Sequence, residues 1–390
     1  MTVLRVGFTH ISRRLWAGGH NYQRNLFAAL NRHCPGRVAP VVFAGEQDDA
    51  EEVAALSSVP GVEVVRSSAF DRSSLGIAVT LPTGLDGAAA AAFAGHRIDV
   101  VFESARFFGW RLSVPALAWI PDLQHRRLPH MFSPAARWRR EIGFRMQIAS
   151  RRHIVLSSES AARDCRAYYP DLADRVSVVR FASQPEPALL AADPGEIVTK
   201  YGLPPRYVYL PNQFYRHKNH QVVVSALTIL QARGVDVVVA ASGSKDDPRE
   251  PGLFNALMED VRQRGLAENF RYLGMIPLDH VYALLRAANG LINPSRFEGW
   301  STTVEEAKSF GVPMILSDIA VHREQAGAVA KYFEVDDAEA LAGYLAAVAQ
   351  SPEPSTVRNL LPGLDKRVAA FAGGFVAAVK KCVDQFVRRS

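Results

Sequence analysis

The chain reads as an α/β protein built from two doubly wound parallel-sheet domains, and three observations predict this. Short apolar runs rich in Val, Ile and Leu recur along the whole sequence, with helical stretches between most of them. The length, 390 residues, exceeds what one ordinary hydrophobic core serves. One segment, 181–187, breaks all periodicity with two prolines among small polar residues, the composition of an interdomain linker.

In the first half, residues 3–8 form the opening strand. The loop after it ends in Gly18-Gly19, at the entrance to a helix with apolar residues at 22, 26, 27, 29 and 30. A glycine pair there lets backbone come close to a ligand, commonly a phosphate, although plain turn chemistry needs no ligand. Further strand-like runs lie at 39–44, 62–65, 100–102, 116–120 and 153–156, with a short one at 176–179. The Ala-rich run 87–94 is read as a helix face. Ligands of such sheets bind at the carboxyl ends of the strands. Asp122 and His125 follow directly on the strand ending at Ile120, so both are candidates for that crevice, while an ordinary cap or turn is the simpler reading of either.

In the second half, the strand 207–210 runs into a loop that holds Asn212, Arg216 and Lys218, and a helix follows from Gln221. Two cations between a strand end and a helix start suit a phosphate, because Arg forks onto its oxygens and Lys acts as a point charge. A basic surface turn is the commoner case for each taken singly. Strands follow at 235–241 and 270–274, the latter ending in Gly274 and followed by Met275. Asp279 is placed to cap a helix over 281–288, and helices are expected over 338–350 and 367–388. The densest stretch runs from Asn293 to Ala307. There a strand ends at Pro294, a loop carries Glu298, Gly299, Trp300 and Ser301, and a helix opens at Thr302-Thr303-Val304-Glu305-Glu306. Thr302 with Glu305, and Thr303 with Glu306, both fit the spacing of a capping box. A strand, a short loop and a helix start together present backbone N–H groups to an anion. Glu298 and Glu306 flank that opening, and a further strand spans 313–316.

Composition excludes several classes. No stretch reaches the roughly 20 apolar residues that span a bilayer. The first residues read as a strand rather than a signal peptide. Three scattered cysteines, Cys34, Cys165 and Cys382, make neither a disulfide framework nor a metal cluster, which suggests the reducing cytoplasm. The net charge of +6 is uneven: residues 1–190 hold 23 Arg, no Lys and 17 acidic residues, and the remainder is balanced. Eight arginines fall between Arg126 and Arg152. They read either as a solvated helix surface or as a patch drawn to an anionic acceptor or to anionic lipid at the inner face of a membrane. No nucleic-acid motif accompanies them, so no nucleic-acid partner is expected.

Phe297-Glu298-Gly299-Trp300 through Glu306-Ala307, with Gly311-Val-Pro313 and Ser317-Asp318 to Glu324 downstream, is similar to the signature of glycosyltransferase family 4. Arg216-His-Lys218-Asn219 resembles that family's phosphate loop, Leu273-Gly274 the strand end that meets the nucleobase, and Gly18-Gly19 the glycine loop of its first domain. The resemblance covers the chain and is densest over 207–337. It implies a GT-B fold, two Rossmann-like domains facing across a cleft: an acceptor domain over 1–185, a nucleotide-sugar donor domain over 186–368, and a helix over 369–390 that packs back on the first domain. It implies a retaining transfer of a hexose or deoxyhexose from a nucleotide-diphosphate sugar to a saccharide or lipid-linked acceptor, in cell-surface polysaccharide synthesis, with no metal and no cofactor beyond the donor. By position, Arg216 and Lys218 would neutralise the diphosphate, Glu298 and the backbone of Gly299, Trp300 and Ser301 would hold sugar hydroxyls, and Glu306 would accept from the ribose diol. Asn212, Gly274, Met275 and Thr302 complete the expected donor contacts, and Gly18 or Gly19 would close on the diphosphate.

Three positions depart from the family pattern. Ser301 stands where Gly is usual, Thr302-Thr303 replaces an apolar-Pro pair, and Pro121-Asp122 replaces His-Asp, which makes His125 the candidate for the missing sugar contact. Two other functions fit the motifs: a nucleotide-sugar epimerase of the same fold, and a non-catalytic nucleotide-sugar-binding partner. The set Arg216, Lys218, Glu298 and Glu306 speaks against the last, because a scaffold has no need of all four.

Overall fold

The computed structural model describes residues 3–71, 80, 82–104, 106–172, 174–351 and 357–388. The chain divides into two compact units, Met1–Gln184 together with Asp365–Ser390, and Pro185–Leu364.

The first unit is built on seven strands, β1 (Leu4–Thr9), β2 (Val38–Ala44), β3 (Glu63–Arg66), β4 (Val100–Glu103), β5 (Ala116–Trp119), β6 (His153–Leu156) and β7 (Val176–Val178). Their order is β3-β2-β1-β4-β5-β6-β7, and every pairing is parallel. Parallel sheets carry helices on both faces, so β4, β5 and β6 are buried along their whole length. Aromatic side chains fill the core. Phe8 on β1 meets Phe27 of the helix Ala17–His33 edge-on at 4.9 Å, and Tyr22 of the same helix stacks on Trp119 at 4.1 Å. The helix Gly363–Val387 sends Phe371 and Phe375 into this core, where they meet Tyr22 at 5.4 Å and Phe8 at 5.9 Å.

Gly18 and Gly19 do not lie in a loop before the helix, as the sequence suggests, but inside its first turn, since the helix starts at Ala17. The N–H of Trp16 donates to Ser12 O at 3.0 Å, which winds the chain up before the glycines are reached, and that of His20 donates to Trp16 O at 3.1 Å, closing a helical turn around them. Gly19 has a packing reason of its own. A Cβ there would come within 2.5 Å of the Trp16 indole, which is stacked on Trp119 at 5.0 Å.

The second unit has six parallel strands, β8 (Val208–Leu210), β9 (Val239–Ala241), β10 (Phe270–Tyr272), β11 (Gly290–Asn293), β12 (Met314–Ser317) and β13 (Ala330–Phe333), in the order β10-β9-β8-β11-β12-β13. The two-residue repeat of a strand sorts the side chains into two layers. Val208, Leu210, Val239, Ala241, Ile292 and Ile315 enter one core. Tyr207, Tyr209, Val238, Ala240, Leu291, Met314 and Leu316 enter the other. Both layers are apolar, which is why these strands read as continuous apolar runs rather than alternating ones. The order reverses between β8 and β11, and their carboxyl ends open the crevice where ligands of such sheets bind. Asp279 is not the cap of its helix: the helix spans Leu278–Ala287, so Asp279 sits within its first turn. Among the described residues, no helix is long and apolar enough to cross a membrane.

Candidate active site

The loop after β8 closes with a short 3-10 turn, Arg216–Lys218, and Asn219 then takes a left-handed conformation at φ 55° before the helix His220–Ala232. Asparagine tolerates that conformation better than most side chains. The Asn219 side chain anchors the turn by donating to Val335 O at 2.8 Å. The turn sends its two cations in different directions. Lys218 Nζ lies 2.5 Å from Glu298 Oε1, in a largely enclosed ion pair. Arg216 is exposed and pairs with Glu250 at 3.1 Å. The structure thus brings Lys218 and Glu298 together and leaves Arg216 outside their cluster.

Glu298 belongs to a polar network at the ends of β8 and β11. Ser295 Oγ lies 2.7 Å from Glu298 Oε1 and 2.6 Å from Asn293 Oδ1, and its single hydroxyl proton serves one of them at a time. Asn212 Nδ2 donates to Asn293 Oδ1 at 3.3 Å. Asn293 Nδ2 donates to Ser301 Oγ at 2.8 Å and to Thr303 Oγ1 at 3.2 Å. Burial alone would raise the Glu298 pKa, but Lys218 beside it, with His322 and His217 further off, holds it at about 2. Burial, and then the Lys218 charge, press the His217 imidazole down to about 3. At neutral pH the cluster is therefore an ion pair beside a neutral imidazole.

Neither threonine caps the helix. The helix Thr302–Phe310 is capped by Ser301, whose Oγ accepts from Val304 N at 3.4 Å, so the capping-box reading of Thr302 and Thr303 is corrected by one residue. The reason is a long-range bracket. Ser301 N donates to Gln325 Oε1 at 3.1 Å, and Gln325 Nε2 donates back to Ser301 O at 2.7 Å. Glu305 is buried and turned to Gln325 and Lys308 rather than to the cap.

Glu306 points elsewhere. Its side chain is buried, at 6 % exposure, and accepts from Tyr282 OH at 3.2 Å. Burial, and to a lesser degree the neighbouring Glu305, raises its pKa to about 7 against that one hydrogen bond. A carboxyl poised there exchanges its proton near neutrality and, once ionised, has acceptor capacity to spare.

The remaining expected residues fall into two groups. Gly274 sits at the end of β10 with φ 86°, a conformation that favours glycine, and Met275 after it is 68 % exposed. Gly299, Trp300 and Thr302 are half-buried along the loop and first helical turn. In the first unit, Asp122 Oδ1 accepts from Gln124 N at 2.9 Å, an ordinary turn contact. His125 is buried, with Nε2 3.3 Å from Glu141, a carboxylate that also accepts from Arg126, Arg145 and Tyr169. His125 is thus tied into a local ion-pair cluster. Sequence reasoning passed over Asn293, Ser295, Gln325 and Tyr282. Only Asn293 and Ser295 carried a signal, being polar residues directly at a strand end.

Residues 198–359, within the second unit, match the family model described as Glycosyl transferases group 1. A curated relative, the putative glycosyltransferase EpsF of Bacillus subtilis (strain 168), is 28 % identical over 115 residues, which are 30 % of this chain and 28 % of EpsF. The chain spans about a quarter of the length of the curated relatives it matches. Among solved structures, a glycosyltransferase from Rickettsia africae ESF-5 superposes with a TM-score of 0.68 at 13 % identity, covering 100 % of both chains. Anabaena Alr3699/HepE, solved in complex with UDP and glucose, gives 0.63 at 15 % identity over 99 % of this chain and 98 % of its own. At such identities the likeness is one of fold, and that fold is GT-B, with two Rossmann-like domains.

Proposed function

We propose that this chain is a retaining, metal-independent glycosyltransferase of family 4. In this reading it moves a hexose or deoxyhexose from a nucleotide-diphosphate sugar to a saccharide or lipid-linked acceptor, in cell-surface polysaccharide synthesis. The observation that carries the reading is the Lys218–Glu298 pair beside the start of the helix Thr302–Phe310, inside the segment that matches the glycosyltransferase group 1 model.

The chemistry follows from the charges. The bond from the anomeric carbon to the phosphate oxygen breaks, and a bond to the acceptor oxygen forms on the same face. The acceptor proton passes to a phosphate oxygen of the departing nucleoside diphosphate. Negative charge grows on the leaving oxygen, where Lys218 meets it with the help of the helix N-terminus, and Arg216 joins it by giving up its contact with Glu250. A diphosphate gives Lys218 a second anionic partner, and Glu298, held ionised, is then left to orient sugar hydroxyls. In retaining glycosidases one of two carboxylates attacks the sugar, and Glu298 is not assigned that role. Glu306 accepts from the ribose diol, while Asn212, Gly274, Met275, Gly299, Trp300, Ser301 and Thr302 make the other donor contacts. We place the protein in the cytoplasm, with the exposed arginine face of the helix Pro134–Ala149 turned to anionic lipid.

The test is a thermal-shift screen of nucleoside diphosphates and their sugars, followed by transfer assays. A ligand at a hundred times its dissociation constant adds about 2.7 kcal/mol of stability. Lys218→Gln and Glu306→Gln should each lower turnover by roughly a hundredfold. Near-normal turnover in either folded variant would sink the assignment. One observation favours a second reading, a nucleotide-sugar epimerase: Glu306, at about 7, holds and releases a proton in the range an acid–base catalyst needs. Incubating donor and enzyme without acceptor separates the two, because only an epimerase then changes the sugar.

A further inference from the structure

A second polar cluster lies at the carboxyl edge of the first unit's sheet. His10 follows directly on β1, His20 lies in the helix Ala17–His33, and Glu52 lies in the helix Ala50–Ser57 that follows β2. One ligand atom from each of the three falls within 4.8 Å of the others. The His10 side chain is 1 % exposed, and neither of its ring nitrogens makes a hydrogen bond. Each faces a carboxylate oxygen instead: Asp48 Oδ2 is 2.9 Å from Nδ1, and Glu52 Oε2 is 3.5 Å from Nε2. His20 is held by Nδ1 against Ile11 O at 3.0 Å. With that nitrogen donating to a carbonyl, Nε2 keeps its lone pair.

We propose that His10, His20 and Glu52 bind one divalent transition-metal ion, with Asp48 orienting His10. The geometry suits such an ion. Zinc bonds to nitrogen and oxygen ligands are about 2.0–2.1 Å, so two ligands of a tetrahedral ion stand roughly 3.3 Å apart. The 3.5 Å from His10 Nε2 to Glu52 Oε2 is close to that edge. The outer contacts are those that metal-bound imidazoles use, a carboxylate beside the distal nitrogen of one ring and a backbone carbonyl on the other. Two imidazoles and a carboxylate favour a borderline ion such as zinc over calcium or magnesium. Two nearby carboxylates balance its charge. Glu52 is preset by accepting from Arg13 N at 3.1 Å, and Asp48 by accepting from Gly45 N at 2.9 Å. Arg24 beside His20 opposes a cation, and the two carboxylates offset it. The ion would tie together the loop after β1, the first helix and the helix after β2. No step of the proposed transfer runs through it.

Tag-free protein, stripped with chelator and desalted, is titrated with Zn2+ by calorimetry, and bound metal is counted by mass spectrometry. One ion per chain is expected. His20→Gln and Glu52→Gln should each weaken binding tenfold or more while the metal-free melting temperature stays close to that of the parent. X-ray absorption of the zinc form should show nitrogen and oxygen ligands with imidazole scattering. No stoichiometric uptake would overturn the proposal. Uptake that both variants retain, or a sulfur shell near the 2.3 Å of a zinc–thiolate bond, would overturn it equally.

Discussion

Lys218 Nζ and Glu298 Oε1 meet at 2.5 Å although 80 residues separate them, and this contact joins the loop after β8 to the loop after β11. Neither charge is well placed to find water on its own. Removing one partner of an enclosed pair typically costs about 3–5 kcal/mol, since the other is left uncompensated. Lys218→Met and Glu298→Gln should each approach the lower end of that range, and the double variant should lose clearly less than the sum. Urea unfolding of all four proteins measures the coupling, and additive losses would show that the pair contributes none.

Glu306 sets a pH dependence of unusual sign. Its carboxyl is raised from the usual 4.5 to about 7, so the folded protein keeps a proton that the unfolded chain has released. The cost of ionising it in place is absent below the unfolded pKa, grows as pH rises, and is complete above about 7. At 1.36 kcal/mol per pKa unit that cost is on the order of 3 kcal/mol. Glu306→Gln should therefore stabilise the protein at pH 8 and leave it nearly unchanged at pH 4, while weakening nucleotide binding. Melting curves at the two pH values check the first half, and equal shifts at both would contradict it.

Glu298 behaves in the opposite sense. Its pKa is depressed to about 2, so its contribution is present above the ordinary carboxylate range and is lost as pH falls from about 4.5 toward 2. The stability difference between the parent protein and Glu298→Gln should shrink over that interval and hold steady from pH 6 to pH 8.

Ser301 carries more than a cap. Ser301→Ala removes the acceptor of Val304 N and one acceptor of Asn293 Nδ2, for an expected loss of about 1–2 kcal/mol. Ser301→Gly keeps the helix start at a cost of only a few tenths for the cap itself. The two variants together separate capping from the Asn293 contact.

The arginine stretch is smaller in effect than its count. Arg126 and Arg145 pair with Glu141, Arg127 with Asp164, Arg140 with Asp122 and Arg152 with Glu103. Arg137 and Arg139 remain exposed on the helix Pro134–Ala149, beside Trp138 and Ile142. If that face docks on lipid, the protein should sediment with anionic vesicles at low salt and be released at about 1 M salt, where the screening length is near 3 Å. Trp138→Ala should weaken the binding. Equal sedimentation with neutral vesicles would remove the idea.

Much of the architecture could be read directly, and what could not has a common cause. The strands show because a parallel sheet covered on both faces demands uninterrupted Val, Ile and Leu. Lys218, Glu298 and Glu306 stood out because they lie beside strand ends and a helix start. Which of Ser301, Thr302 and Thr303 caps the helix did not show, because Gln325, 24 residues on, decides it. Nor did the pairing of Arg152 with Glu103, 49 residues back, so a buried structural arginine passed for part of a surface patch. The divergence of Arg216 from Lys218 was hidden for the same reason, since Glu250 and Glu298 are chosen by the fold and not by spacing.

The helix Gly363–Val387 has a consequence for the order in which the chain matures. Domains usually fold as they leave the ribosome, the earlier one first. Here the core around Phe8 and Tyr22 lacks Phe371 and Phe375 until the whole of Pro185–Leu364 has been translated. The second unit is complete at Leu364, before most of that helix is made, so the first unit to begin synthesis is the last to be completed, and nascent chains stalled before residue 371 should hold a protease-sensitive amino-terminal half and an already resistant second unit.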